Sequence, residues 1–203
     1  MHIETIDDDP IRQFNDAEKA TLTQNLFKLT KRVRLIDNKT RNFTLDLICD
    51  WHRNLFNGVR DHAGRYRSPD YGEKYLNFGP NRSAAREDVP SELSRYVSSV
   101  QNLLGQLHAL EQRLEPAKFV REVIRAALYL HAELIKLHPF RDGNGRVARL
   151  VMTYIFCRFD LPPLIIEVPR QEYISCLNHY FQSNKDIEPL YELGLRIYKN
   201  LLL

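Results

Sequence analysis

Two apolar helical patterns stand one after the other between residues 116 and 160, separated by one short glycine-bearing turn. In the first, PAKFVREVIRAALYLHAELIKL, Val120, Val123, Ile124, Ala127, Leu130, Leu134 and Leu137 recur at helical spacing. The second runs through RVARLVMTYIFCRF and stops at Asp160 and the Pro162–Pro163 pair. Proline has no amide donor and restricts the residue before it, so the helix cannot continue. Two helices this apolar must lie inside a core, which points to a helical architecture.

The rest of the chain agrees. Leu22, Leu26, Leu29 and Val33 mark a helix over about 17–36. A second helix is expected from Thr44, a good N-cap, through LDLICDWHRNLF to the Asn57–Gly58 turn. Leu93, Val97, Val100 and Leu104 mark another after Pro90, and helical patterns cover about 170–182 and 188–202. One segment differs. HAGRYRSPDYGEKYLNFGPNRS carries turn residues between short pieces rich in tyrosine and phenylalanine. It is expected to form a β-hairpin or flap, with Tyr75, Asn77 and Gly79 on one side and Leu76 and Phe78 on the other. The fold class is therefore all-α, a bundle with one short β-hairpin. No linker rich in Gly, Pro or Ser divides it.

Composition excludes several classes. The 43% hydrophobic and 27% charged fractions are those of an ordinary globular domain. A net charge of +3 makes no case for nucleic acid. KLTKRVRLIDNKTR is basic but reads as a solvated surface or a partner-docking site. The most apolar stretch, LVMTYIFCRFDLPPLII, is broken by Arg158, Asp160 and the two prolines, so it does not span a membrane as a helix. Cys49, Cys157 and Cys176 are odd in number, far apart and in apolar settings, as in a reduced cytoplasmic protein without a disulfide frame. The acidic start MHIETIDDDP does not resemble a signal peptide.

The turn between the two apolar helices, HPFRDGNGRVARL, holds the chemistry. Gly143, Asn144 and Gly145 all tolerate positive φ, so the backbone can turn and aim successive N–H groups inward ahead of a helix N-terminus. Such a concavity binds anions, and the helix dipole adds to it. Arg146 and Arg149 share a face at i, i+3 and suit a di- or triphosphate. Asp142 at the mouth of the nest implies Mg²⁺, because a carboxylate beside phosphates needs a cation between them. His138 is the side chain here that takes a proton near neutral pH without a large shift. A plain Gly-Asn turn with solvated arginines is the alternative, and the histidine, aspartate and two arginines at these offsets weigh against it. Neither the GxxxxGK(S/T) phosphate loop nor a GxGxxG after a strand is present.

At these residues the chain resembles the Fic (filamentation induced by cAMP) family, whose pattern HxFx(D/E)GNGRxxR the segment HPFRDGNGRVAR matches at every position. HAGRYR resembles the lead into the family's flap and DIEPLY its acidic-Pro segment. The likeness divides the chain into an N-terminal helical extension, 1–43, and a Fic domain, 44–203. It implies a Mg²⁺-dependent protein adenylyltransferase that moves AMP from ATP to a Tyr, Ser or Thr hydroxyl of a protein. His138 would be the general base, and Phe140 would anchor the loop in the core. Asp142 would hold Mg²⁺. Gly143, Asn144 and Gly145 would form the nest, with Asn144 also orienting the α-phosphate. Arg146 would hold the β-phosphate and Arg149 the γ-phosphate. The flap, about 73–80, would dock the target. Tyr173, Asn178 and Tyr180 would line the adenine pocket. His131 and His52 read as core histidines.

The resemblance has one gap. The inhibitory helix (S/T)xxxE(G/N) of many members matches neither end of this chain: TLTQNLFKL lacks the glutamate, and SNKDIEP places Glu188 one position late. The favoured expectation is a separate small antitoxin that supplies the helix, making this chain a toxin. Control by homo-oligomerisation is the alternative. Relatives that transfer another nucleotide, phosphate or phosphocholine, or remove AMP, keep the fold and change the reaction. Gly145 argues against the kinase-like branch. A nucleotide-binding regulator without catalysis is disfavoured because His138 is present.

Overall fold

The computed structural model describes residues 14–35 and 42–201, and the helical periodicities become α1 (Asp16–Leu35), α2 (Leu45–Leu55), α3 (Val89–Glu111), α4 (Pro116–Leu137), α5 (Asn144–Arg158), α6 (Arg170–Gln182) and α7 (Glu188–Leu201). Strands β1 (Asn77–Phe78) and β2 (Asn81–Arg82) pair antiparallel, Asn77 with Arg82 and Phe78 with Asn81. The all-α expectation with one hairpin holds. The acidic start of the chain and the end of the first predicted helix, at Ile36, lie outside the described residues, as does part of the basic KLTKRVRLIDNKTR segment.

Local chemistry sets the helix ends. At α1, Asn15 Oδ1 accepts from the Glu18 amide and Glu18 Oε2 from the Asn15 amide, both at 2.9 Å. Each side chain thus satisfies an amide that the helix leaves without a partner. Thr44 caps α2 through Oγ1, which accepts from the Leu47 amide at 3.2 Å. A cap of this kind contributes about 1 kcal/mol. Pro116 opens α4 in the first turn, where its missing amide costs nothing.

The core is continuous. Helix α4 packs against α3, α5, α6 and α7, and α1 lies along α5 and α2. Leu22, Leu29 and Val33 bury one face of α1, while Phe27 and Leu35 on the same helix stay exposed. Phe43, Trp51 and Tyr154 meet edge-on or tilted between α2 and α5, with Phe43 and Tyr154 ring centres 5.5 Å apart. Tyr96 brings α3 onto α4 by donating its hydroxyl to the Leu130 carbonyl at 3.0 Å. Burial pushes the Cys49 thiol up to about 11, so it packs and does not react. Among the described residues no helix is long and apolar enough to cross a membrane.

Candidate active site

Helix α4 ends on His138. This residue takes the left-handed conformation, φ 52° and ψ 58°, while its amide still donates to the Leu134 carbonyl at 3.0 Å. The reversal turns the chain towards the start of α5. On the side chain, Nδ1 lies 3.1 Å from the Ile135 carbonyl. A carbonyl only accepts, so Nδ1 carries a hydrogen, and in the neutral form of the ring the lone pair is then at Nε2. The imidazole lies flat against Phe78 of the hairpin, with ring centres 4.6 Å apart and planes 5° apart.

The loop after His138 is held from inside. Phe140 is fully buried and stacks on His52, centres 3.9 Å apart. His52 is itself fully buried between two backbone groups. The Gly64 amide donates to its Nδ1 at 2.8 Å, so Nε2 carries the hydrogen and donates to the Asp142 carbonyl at 3.2 Å. Burial lowers the His52 pKa to about 3 and keeps the ring neutral, which this pair of bonds requires. Asn144 closes the loop. Its Oδ1 accepts from the Phe140 amide at 2.8 Å and its Nδ2 donates to the Phe140 carbonyl at 2.9 Å. Both amide atoms of this buried side chain are thus engaged within the loop, and what Asn144 turns towards the nest is its backbone.

Gly143 stands at the N-cap of α5 with φ 74°. A Cβ there would meet the Phe56 ring, with Cζ at 2.9 Å, so both the conformation and the space demand glycine. Asp142, 6% exposed, accepts from the Gly143 amide through Oδ1 at 2.6 Å. Arg146 lies 3.9 Å from that same oxygen and is 3% exposed, its guanidinium 5.8 Å from the ring centres of both Phe14 and Phe56. Arg149 follows one turn later. Its Nη2 is buried with no hydrogen-bond acceptor among the described residues.

Two cavities flank this loop. One, of about 240 Å³, lies under the hairpin and is lined by Leu76–Gly79, His138, Asp142, Gly145 and part of α6. The other, of about 510 Å³, lies between α1 and α5 and is lined by Arg146, Arg149, Leu26, Thr30 and Arg34. Arg170 borders both. A base, a carboxylate and a helix N-terminus therefore share one space, with two guanidinium groups opening on the next. That arrangement suits an anionic chain of several phosphates.

The comparison with protein families agrees: the model of the Fic/DOC family matches residues 42–156. The chain belongs to the Fic/DOC family. It is 31% identical over 153 residues to the protein adenylyltransferase Fic of Nematostella vectensis, covering 74% of this chain and 31% of that one. It is 45% identical over 147 residues to the protein adenylyltransferase fic-1 of Caenorhabditis briggsae, covering 71% of this chain and 25% of that one. The chain thus spans at most 31% of the length of these two curated relatives. Among solved structures, BepC, a VirB-translocated effector protein of Bartonella tribocorum with bound AMPPNP, superposes with a TM-score of 0.69 at 18% identity, over 93% of this chain and 90% of that one. A Fic domain containing signaling protein of Bacteroides thetaiotaomicron gives 0.68 at 20%, over 92% and 72%. At such identities these two neighbours speak for the fold alone.

In this Fic/DOC chain the hairpin alternates as the sequence predicted. Tyr75, Asn77 and Gly79 are exposed, and Leu76 and Phe78 are half-buried. The three α6 residues predicted for the adenine pocket are spread apart. Asn178 lines the smaller cavity and accepts from Asn81 of the hairpin at 2.7 Å. Tyr173 lines the larger one and bonds His131 Nε2 through its hydroxyl. Tyr180 is fully buried, donates to Glu133 at 2.8 Å and lines neither. His131 is a buried, hydrogen-bonded core residue, its pKa lowered to about 3 by burial and by the charge of Arg149.

Sequence reasoning missed several residues of the site. Glu73 receives Arg141 in a forked pair, at 2.8 Å from Nη2 and 3.0 Å from Nε, which ties the motif loop to the foot of the hairpin. Arg170 and Phe14 were missed as well. Arg67 is fully buried behind the motif. The Gly- and Tyr-rich setting of Glu73 and Arg67 reads as surface turn, and no periodicity marks either one as inward.

Proposed function

We propose that this chain is a Mg²⁺-dependent protein adenylyltransferase that moves AMP from ATP to a Tyr, Ser or Thr hydroxyl of a protein target. One observation carries the reading. His138, whose Nδ1 is turned to the Ile135 carbonyl, shares a cavity of about 240 Å³ with Asp142 and the N-terminus of α5, beneath an exposed hairpin. A base and an anion cradle so placed fit attack of a hydroxyl at a phosphorus.

In this reading the target hydroxyl gives its proton to His138 Nε2 as its oxygen bonds Pα. The bond from Pα to the bridging oxygen breaks, and pyrophosphate leaves with the electron pair. The backbone of Gly143, Asn144 and Gly145 and the α5 dipole hold the phosphates, Arg146 takes the β-phosphate and Arg149 the γ-phosphate. Most of the acceleration is positioning and charge stabilisation.

The residues fit a magnesium ion. Among the described residues no three His, Cys, Asp or Glu cluster as a metal cage. Mg²⁺ characteristically takes one or two carboxylates and completes its shell with phosphate oxygens and water. Asp142 is that carboxylate here. When bound, the ion would offset negative charge on the phosphates. On the α6 wall, Asn178 is the base contact that this reading retains. The target would lie along Tyr75–Gly79, pairing through its main chain. The reading treats 44–203 as the transferase unit and 1–43 as its extension, and places the chain in the cytoplasm, where ATP and Mg²⁺ are found.

The reading extends to an inhibitory partner. Helix α1 turns Leu26, Thr30 and Arg34 towards the cavity that holds Arg149, and none of these is a carboxylate. A small antitoxin supplying a glutamate from outside fits that surface, and the chain is then the toxin of the pair.

The test is incubation with Mg²⁺ and α-³²P-ATP or γ-³²P-ATP, with and without cell lysate, beside His138→Ala. Label from the α position alone, lost in the variant, supports adenylyl transfer. Label from the γ position alone would make the chain a kinase and overturn the reading.

A further inference from the structure

The lead into the hairpin carries a buried charge that the proposed mechanism does not use. The Arg67 guanidinium meets carbonyl oxygens from three places. At the end of α4 its Nη2 donates to His138 at 2.7 Å and to Leu137 at 3.5 Å, and its Nε donates to His138 at 3.1 Å. At the near foot of the hairpin its Nη1 donates to Glu73 at 3.3 Å and to Lys74 at 3.4 Å. At the far foot both Nη atoms donate to Ala84 at 3.1 Å. The Arg67 amide also donates to Pro139 at 2.8 Å. Gly72 leaves room for the stem, since a Cβ there would sit 2.9 Å from Arg67 Cγ.

Each of these bonds has a physical reason. The last carbonyls of a helix lack partners and collect partial negative charge, which a cation offsets. The left-handed turn of His138 is rarely populated for a residue with a side chain, and it persists where its surroundings over-determine it. Two of the shortest Arg67 bonds go to the His138 carbonyl itself. The same guanidinium spans both feet of the hairpin, which a lysine could not do, having a point charge in place of a planar fork. At the other end of the hairpin, Phe78 lies flat on the His138 ring. The hairpin therefore grips the base twice, by its feet through Arg67 to the main chain and by its tip to the ring.

We propose that Arg67 is a positioning residue that locks the hairpin to His138, so that the docking edge and the base move as one body and the distance between them is set. The mechanical part stands on the geometry. Its consequence for a docked target rests on the adenylyltransferase reading.

The test uses Arg67→Lys and Arg67→Met in the full chain, read by residue-resolved amide hydrogen exchange and by melting temperature. For Arg67→Lys, protection at Leu76, Ser83 and His138 should fall together by about tenfold or more while amides inside α3 and α5 keep theirs within about twofold, as for local opening of one cooperative unit. With a labelled target, kcat/KM for the target should fall about 100-fold, with ATP Kd and the pH midpoint unchanged, because misplacement of about 1 Å costs that much. Unchanged protection in the hairpin, loss spread evenly through α3 and α5, or unfolding of both variants would overturn the proposal. Exchange needs no substrate. Coupled exchange in a chain that transfers no AMP would therefore sink the adenylyltransferase reading and leave this one standing.

Discussion

At the scale of single residues, the site depends on positions whose backbone is unusual. His138 holds φ 52° and Gly143 φ 74°, and together they reverse the chain between two buried helices. On the proposed adenylyltransferase reading, His138→Ala is expected to lower adenylyl transfer by about 10²–10⁴-fold, the usual worth of a positioned base, with ATP Kd unchanged; turnover and calorimetry check the two halves. Gly143→Ala is expected to destabilise by about 2–4 kcal/mol, from the strained φ and the overlap with Phe56, as read by thermal unfolding. The motif residues from His138 to Arg149 were legible in the sequence because their chemistry is crowded into one turn. Arg67 and the loop-holding bonds of His52 were not. The bonds of Arg67 to Leu137 and His138 and of His52 to Asp142 reach 70 to 90 positions along the chain, beyond any local pattern.

At the scale of elements, α1 and the hairpin border the site for different reasons. Helix α1 packs against α5 and α2 and buries Leu22, Leu29 and Val33, each at most 6% exposed. Leu29→Ala is expected to cost about 2–5 kcal/mol in chemical denaturation, because a cavity opens between α1 and its neighbours. The hairpin is too short to be stable alone and relies on its feet and on α6. Phe78→Ala removes the ring stacked on His138. On the same proposed reading it is expected to raise KM for a protein target by about tenfold while leaving ATP affinity unchanged, a split that steady-state kinetics resolves. Periodicity foretold each helix because a 3.6-residue repeat is written locally. It could not foretell which face of α6 would meet the cavity, and so Tyr173, Asn178 and Tyr180 were grouped although the fold sends them to different places.

At the scale of the whole molecule, stability should fall in acid. Burial lowers the pKa of both His52 and His131 from 6.5 to about 3. A depressed pKa means that the unfolded chain binds more protons than the folded one at pH values between the two. The contribution is therefore complete above pH 6.5 and is lost as the pH falls from 6.5 towards 3. Each histidine adds a slope of about 1.4 kcal/mol per pH unit within that window. His131→Gln is expected to reduce the slope of unfolding free energy between pH 6 and 4 by about one such unit, as measured by denaturant titration at each pH.

The sequence by itself determined the helical class, the ends of most helices and the chemical content of the turn between α4 and α5. These follow from neighbours along the chain, from caps and breakers and from a repeat that a few turns suffice to show. Only the tertiary structure decided what surrounds that turn. It set His52 beneath the loop, buried Arg146 beside Phe14 and Phe56, stacked Phe78 on the His138 ring and placed Arg67 across the feet of the hairpin. Most of these pairings join segments far apart in sequence. Their energy appears only once the core has packed and water has left, when a buried donor must find its acceptor wherever the fold has put it.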